Sequence, residues 1–190
     1  MVSASSIRPL LLPQGELSFR KLVKLALCLV LGIATLTLSA KLSVPLQPVP
    51  FTMQSFAVLV LGAAYGKHLA FATVAGYLSL GAIGLPVFAT GGGLTYLTMP
   101  TGGYLLGFLP AAYLAGIMGE RGLDRRFLPA IAGFAVAHAV IFICGLAWLQ
   151  HFMGFSKAIS VGLYPFIPGA VVKFSAATGV MLLLWRFKKS

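Results

Sequence analysis

"YPFIPGAVVKFSAATGVMLLLW", residues 164–185, is apolar and long enough to cross a bilayer, yet it carries a lysine, Lys173, well inside. Roughly 20 apolar residues span the hydrocarbon as a helix, so the stretch reads as a membrane span, and its ammonium group asks for a reason. The rest of the chain agrees with that setting. Of 190 residues, 59% are hydrophobic and only 9% are charged, and the mean hydropathy is +0.98. A soluble domain of this length needs more charge to cover its surface. Lipid must replace water around most of the molecule. The first twenty residues, "MVSASSIRPLLLPQGELSFR", hold one three-leucine run and no small-residue cleavage site after an apolar core. No cleaved signal peptide is expected.

By span length the chain divides into six apolar segments, at about 21–40, 51–66, 67–85, 102–119, 128–149 and 165–186. The expected fold is therefore all-α, a single six-helix membrane domain over 21–186, with 1–20 as an N-terminal segment and 187–190 as a tail. The second segment is short and runs into "YGKH" without a polar break, which predicts a tight hairpin between the second and third helices. An even number of spans puts both termini on one side. Counting Lys and Arg in the short loops decides which side that is. With cytoplasmic termini, eleven fall inside, from Arg8 through Lys67 and Arg121 to Lys189, while Lys41 and Lys157 alone lie outside. The net charge of +11 thus reflects topology and anionic headgroups, with no nucleic-acid partner implied.

Between the third and fourth segments lies "GLPVFATGGGLTYLTMPTGGY", residues 84–104, rich in Gly and Pro but interleaved with Val87, Phe88, Leu94, Tyr96, Leu97 and Met99. A solvated linker is polar. Backbone that is both irregular and apolar must fold into the protein or line a cavity, because unpaired peptide groups facing lipid cost several kcal/mol each. The loop is read as folded in over a pocket on the outer side. "AKLSVPLQPVPF", residues 40–51, carries three prolines in a similar setting, and the two segments together suit a lid. Candidate ligand contacts follow from the same stretches. Tyr104 presents a ring and a hydroxyl, although tyrosines also mark membrane interfaces. Thr90, Tyr96 and Thr101 offer hydrogen bonds from the loop, and Gln54, at the outer end of the second span, is a polar group that must avoid lipid. Lys173 lies about eight residues below the outer end of its helix, roughly 12 Å. A cation there costs about 2.5–3.5 kcal/mol by insertion scales, so it has a partner, lines a wet cavity, or snorkels to the headgroups.

Catalytic readings fall away. The nearest text to a phosphate loop, "GAAYGKH", has the wrong spacing and lacks a hydroxyl after the lysine. The only acids are Glu16, Glu120 and Asp124, all outside the spans, so no carboxylate serves proton relay, metal binding or acid–base chemistry within the membrane. Cys28 and Cys144 sit in separate spans without a metal-ligand context. His138, in "AGFAVAHAVIF", reads first as a histidine hydrogen-bonded between packed helices, and secondarily as a transport residue. No enzyme activity, cofactor or metal is expected. Small residues spaced by four, Gly62 and Gly66, Gly103 and Gly107, Ala112 and Gly116, suit close helix packing.

"VPLQPVPFTMQSFAVLVLGAAYG" (44–66), "LGAIGLPVFATGGG" (80–93) and "PTGGYLLGF" (100–108) resemble the signature stretches of the BioY family, the biotin-binding membrane subunits of energy-coupling factor (ECF) vitamin transporters, and the likeness returns at "PFIPGAVVK" (165–173). The resemblance implies a six-helix ECF S-component in a bacterial cell membrane that holds biotin near the outer surface. It also implies a shared coupling transmembrane protein and two cytoplasmic ATPase subunits as partners. A self-sufficient porter for biotin or another small vitamin, and a packing subunit with no ligand, stay as alternatives. In that family the stretch around Lys173 often reads Pro-Gly-Asp before the lysine, with the acid receiving ureido N–H groups. This chain has Ala170 at the acid's place, which removes a polar contact. A bound carboxylate or ureido oxygen then becomes the candidate partner of Lys173. The first span offers Gly32, Ala34, Thr35 and Ser39 without a clean small-residue pair, so docking to a coupling protein rests on the resemblance.

Overall fold

The computed structural model describes residues 19–189. Eight helices follow one another: α1 (Phe19–Lys41), α2 (Gln54–Tyr65), α3 (Lys67–Ala82), α4 (Leu94–Thr98), α5 (Gly102–Glu120), α6 (Phe127–Met153), α7 (Phe155–Gly162) and α8 (Ile167–Lys189). Two 2-residue strands, β1 (Ser43–Val44) and β2 (Phe51–Thr52), pair antiparallel in the first connection, Ser43 opposite Thr52 and Val44 opposite Phe51. The protein is a multi-pass membrane protein. α1, α5, α6 and the run from α7 into α8 are long and apolar enough to cross a bilayer, whereas α2 and α3 have only 12 and 16 residues.

Six of these helices correspond to the six apolar segments of the sequence, and the ends differ for local reasons. The second segment begins helically at Gln54 rather than at 51, because Phe51 and Thr52 pair with β1. α8 begins at Ile167 because Pro165 belongs to a single 3₁₀ turn, Tyr164–Phe166. The tight α2–α3 hairpin is present, and Gly66 makes it: its φ of 79° reverses the chain in one residue, a conformation that glycine adopts without steric cost. α4 and α7 lie within stretches read from the sequence as loops.

α5 is the hub and packs against α2, α3 and α6. Its seams are closed by glycines. A Cβ on Gly62 of α2 would come within 2.6 Å of the Ala115 Cβ on α5, and one on Gly119 of α5 within 2.2 Å of the Ala63 carbonyl oxygen on α2. Gly103 and Gly107 bring α5 equally close to Trp148 and Cys144 on α6. The small-residue patches of the sequence thus lie inside the bundle. Direct backbone approach of this kind associates helices where lipid gives no hydrophobic drive. α1 is the most peripheral span, with Leu27, Val30, Leu31 and Leu38 facing outward and Gly32 seated against Thr73 of α3.

The connections divide between two ends. At one, Lys67 forms an ion pair with Glu120 at 3.5 Å, and the Trp185 indole N–H donates to the Asp124 carboxylate at 2.6 Å. The Arg125 guanidinium lies 4.0 Å from the Trp185 ring centre. At the other end, the 42–53 and 83–101 connections converge with α7 and the start of α8.

Candidate functional site

Those converging segments enclose a cavity. Its walls come from 49–55, from Phe88, Ala89, Tyr96 and Thr101 of the long loop, from Tyr104 and Phe108 of α5, from His138, Ile141 and Phe142 of α6, from Phe166, and from Lys173 of α8. The empty space between these walls, with its open mouth counted in, is about 580 Å³. Aromatic rings make most of the wall. Phe88 and Tyr96 lie 4.9 Å apart, Phe51 and Phe166 5.9 Å, and Tyr104 stacks on Phe166 at 6.5 Å. Such a wall favours a flat, largely apolar ligand with a few polar groups.

The polar groups in it are held in place. Lys173 is only 6% exposed; its ammonium donates to the Thr52 carbonyl and sits 3.7 Å above the centre of the Phe51 ring. A carbonyl and a ring face together offset part of the desolvation of the cation. An ammonium has three N–H donors, so donors remain for a ligand. The Gln54 side-chain amide donates to the Tyr77 hydroxyl at 2.6 Å, and that hydroxyl donates to the Val87 carbonyl at 3.1 Å. This chain of bonds fixes the start of α2 to the loop after α3. Tyr104 donates to the Gly162 carbonyl at 2.8 Å and so turns its ring, rather than its O–H, toward the cavity. Two further bonds hold the long loop across the mouth: Lys41 of α1 donates to the Phe88 carbonyl at 2.6 Å, and Trp148 of α6 to the Met99 carbonyl at 3.0 Å.

The sequence profile described as the BioY family matches residues 13–190. The chain belongs to the BioY family. It is 40% identical over 153 residues to the probable biotin transporter BioY of Pyrococcus horikoshii, covering 80% of this chain and 89% of that one. It is 38% identical to the biotin transporter BioY of Thermotoga maritima, with the same coverage. The fold is similar to the crystal structure of the S-component for biotin from an ECF-type ABC transporter, with a TM-score of 0.81 at 21% identity over 90% of this chain and 95% of that one.

Of the residues singled out in the sequence of this BioY chain, Gln54, Tyr96, Thr101, Tyr104 and Lys173 line this cavity. Thr90 does not line it; its hydroxyl donates to the Tyr96 hydroxyl at 3.3 Å. Ala170, where the family resemblance leads to an acid, lies one helical turn before Lys173, in a neighbouring apolar pocket. Phe51, Phe166 and Phe88 carry no sequence signal that separates them from ordinary core aromatics. His138 does carry one, an imidazole within an apolar helix. The histidine hydrogen-bonded between packed helices is not what the structure contains: Nδ1 is buried with no hydrogen-bond partner among the described residues, because the neighbours of the ring are Phe142 at 5.2 Å and Phe174 at 6.4 Å.

Proposed function

We infer that this protein captures biotin as the substrate-binding subunit of an ECF-type vitamin transporter. The observation that carries the reading is the buried ammonium of Lys173 in the wall of an aromatic-lined cavity roofed by the proline-rich and glycine-rich segments. Biotin is a compact fused bicycle with a cyclic urea, a thioether and a carboxylate tail. The rings suit its apolar faces, and the spare donors of Lys173 suit its urea oxygen or its carboxylate. Gln54, Tyr96, Thr101 and Tyr104 are proposed to shape and polarise the same site, with Thr90 acting through Tyr96.

The proposed orientation places both termini on the cytoplasmic side of a bacterial cell membrane. Among the described residues, Lys and Arg cluster at the end that carries the Lys67–Glu120 ion pair, and apart from the buried Lys173 only Lys41, at the end of α1, and Lys157, in α7, lie at the cavity end. Positive charge on the inner side then turns the cavity outward. The work of transport is proposed to lie with a coupling membrane protein and ATPase subunits, since the chain itself has no nucleotide-binding loop.

Titration calorimetry of the purified protein in detergent with biotin tests this reading, alongside Lys173→Ala. Saturable binding near one to one is expected, weakened at least tenfold in the variant, about 1.4 kcal/mol. A folded wild type that takes up no biotin overturns it.

A further inference from the structure

Away from the cavity, a groove opens on the outer surface of the bundle where α3 and α5 lie side by side. Its walls are His68 and Phe71 of α3 and Pro110, Tyr113 and Leu114 of α5. All five are exposed, and their rings brace one another: Tyr113 meets His68 edge-on at 6.3 Å and Phe71 at 6.4 Å. His68 stands in the first turn of α3, and Tyr113 and Leu114 lie about two turns from the end of α5. The groove therefore begins at the end that carries the Lys67–Glu120 ion pair and runs into the thickness of the bilayer. A concave apolar surface at that depth does not stay empty, because a void forfeits the dispersion contacts of its lining, and hydrocarbon is the solvent there.

The charge at the foot of the groove says which hydrocarbon chain fits. Pro110, Leu114, Ile117 and Arg121 recur at i, i+4, i+7 and i+11, the spacing of one helical face, and Arg121, at the C-cap of α5, is exposed. The adjacent acid, Glu120, is taken up by α3: it accepts the Lys67 backbone N–H at 3.0 Å and pairs with the Lys67 ammonium at 3.5 Å. That pair sums to zero, and the guanidinium below the rings is left as net positive charge. We propose that the α3–α5 groove seats an acyl chain of an anionic phospholipid, with Arg121 paired to the headgroup phosphate. A guanidinium forks onto phosphate oxygens, and basic sites between spans on the cytoplasmic side take anionic headgroups. Tyr113 and His68, amphipathic rings of the interfacial kind, lie between chain and headgroup. On the orientation proposed above, the lipid belongs to the inner leaflet.

Native mass spectrometry of the purified protein, released from a neutral detergent holding equal amounts of dioleoyl phosphatidylglycerol and dioleoyl phosphatidylcholine, tests it. The two lipids share their chains and differ in net charge. The wild type retains phosphatidylglycerol about fivefold more often than phosphatidylcholine, the scale of one cation at an anionic headgroup. Arg121→Gln brings that preference to within about twofold. Leu114→Trp fills the groove without changing charge and lowers retention of both lipids, whereas Leu128→Trp, at an exposed position of α6 outside the groove, keeps the wild-type pattern. Equal retention of the two lipids by the wild type overturns the proposal, as does a preference that Arg121→Gln leaves intact. Glycerol phosphate retained as readily as the whole lipid overturns the seat for a chain. A dimer that Leu114→Trp abolishes while lipid retention is unchanged overturns it in favour of a second copy in the groove. A thermal melt checks folding; if Leu114→Trp fails it, the spectra of the wild type and Arg121→Gln still decide. None of these readouts uses biotin, so the outcome is independent of what the cavity binds.

Discussion

The helix seams and the long loop use the same residue for opposite purposes. In the seams, glycines are helical and crowded: Gly62, Gly116 and Gly119 each stand where a Cβ would strike a neighbouring helix. In the loop over the cavity, Gly93 has nothing within 4 Å of an added Cβ, but its φ is 103°, where L side chains are strained. One set of glycines removes volume so that helices touch; the other frees the backbone so that a loop can fold over a space. Close-packed seams thus carry a loop that folds over the cavity.

The largest effect expected from breaking this contrast is on the dense side. Gly62→Val adds atoms 2.6 Å from the Ala115 Cβ and 3.0 Å from the Ala112 carbonyl, and overpacking of that severity costs about 3 kcal/mol. The melting temperature in detergent should fall by roughly 6–12 °C; a loss of less than 2 °C on that scale would show that the α2–α5 seam yields. Next comes Trp185→Phe, which leaves the 0% exposed Asp124 carboxylate without its indole donor. About 1–3 kcal/mol of stability is lost, while biotin affinity stays within about twofold because the site lies at the other end. An affinity change larger than the melt explains would mean that the ends communicate.

On the cavity side, Lys41→Met removes one of the two ties across the long loop. Stopped-flow release of biotin should speed up several-fold, on the order of 1 kcal/mol for one hydrogen bond from a charged donor, with little change in melting temperature. The smallest effect concerns pH. Burial pushes the Asp124 carboxyl up, outweighing the opposing Trp185 hydrogen bond and the Arg125 charge. A raised value in the folded state means that the folded protein takes up a proton before the unfolded chain does as pH falls. The protein should therefore gain stability on acidification through that raised value, with the gain complete below the ordinary carboxyl value. The difference in melting temperature between wild type and Asp124→Asn across pH 3–7 isolates the effect; a difference independent of pH would remove it.

Membrane class, segment order and the division of charge were legible in the sequence because they depend on composition and length alone. The folded-in loop was legible too, since apolar irregular backbone has nowhere else to go in lipid. Helix starts at Gln54 and Ile167 were not, because strand pairing of Phe51 and the turn at Pro165 decide them from outside the helix. Site residues divide the same way. Lys173 and Gln54 announce themselves as polar groups in apolar surroundings. Whether a polar group is already paired depends on another helix: Tyr104 finds the Gly162 carbonyl on a distant segment, and His138 meets two phenylalanines where a partner was expected.

The shortness of α2 and α3 has a geometric sequel. At 1.5 Å per residue their 12 and 16 residues measure roughly 18 and 24 Å, against a hydrocarbon slab of about 30 Å. The shortfall falls where the irregular segments around the cavity lie. On the orientation proposed above, the cavity floor then sits beneath the plane of the outer headgroups, and a ligand that settles there has entered the thickness of the bilayer, so that binding is itself the first stage of passage.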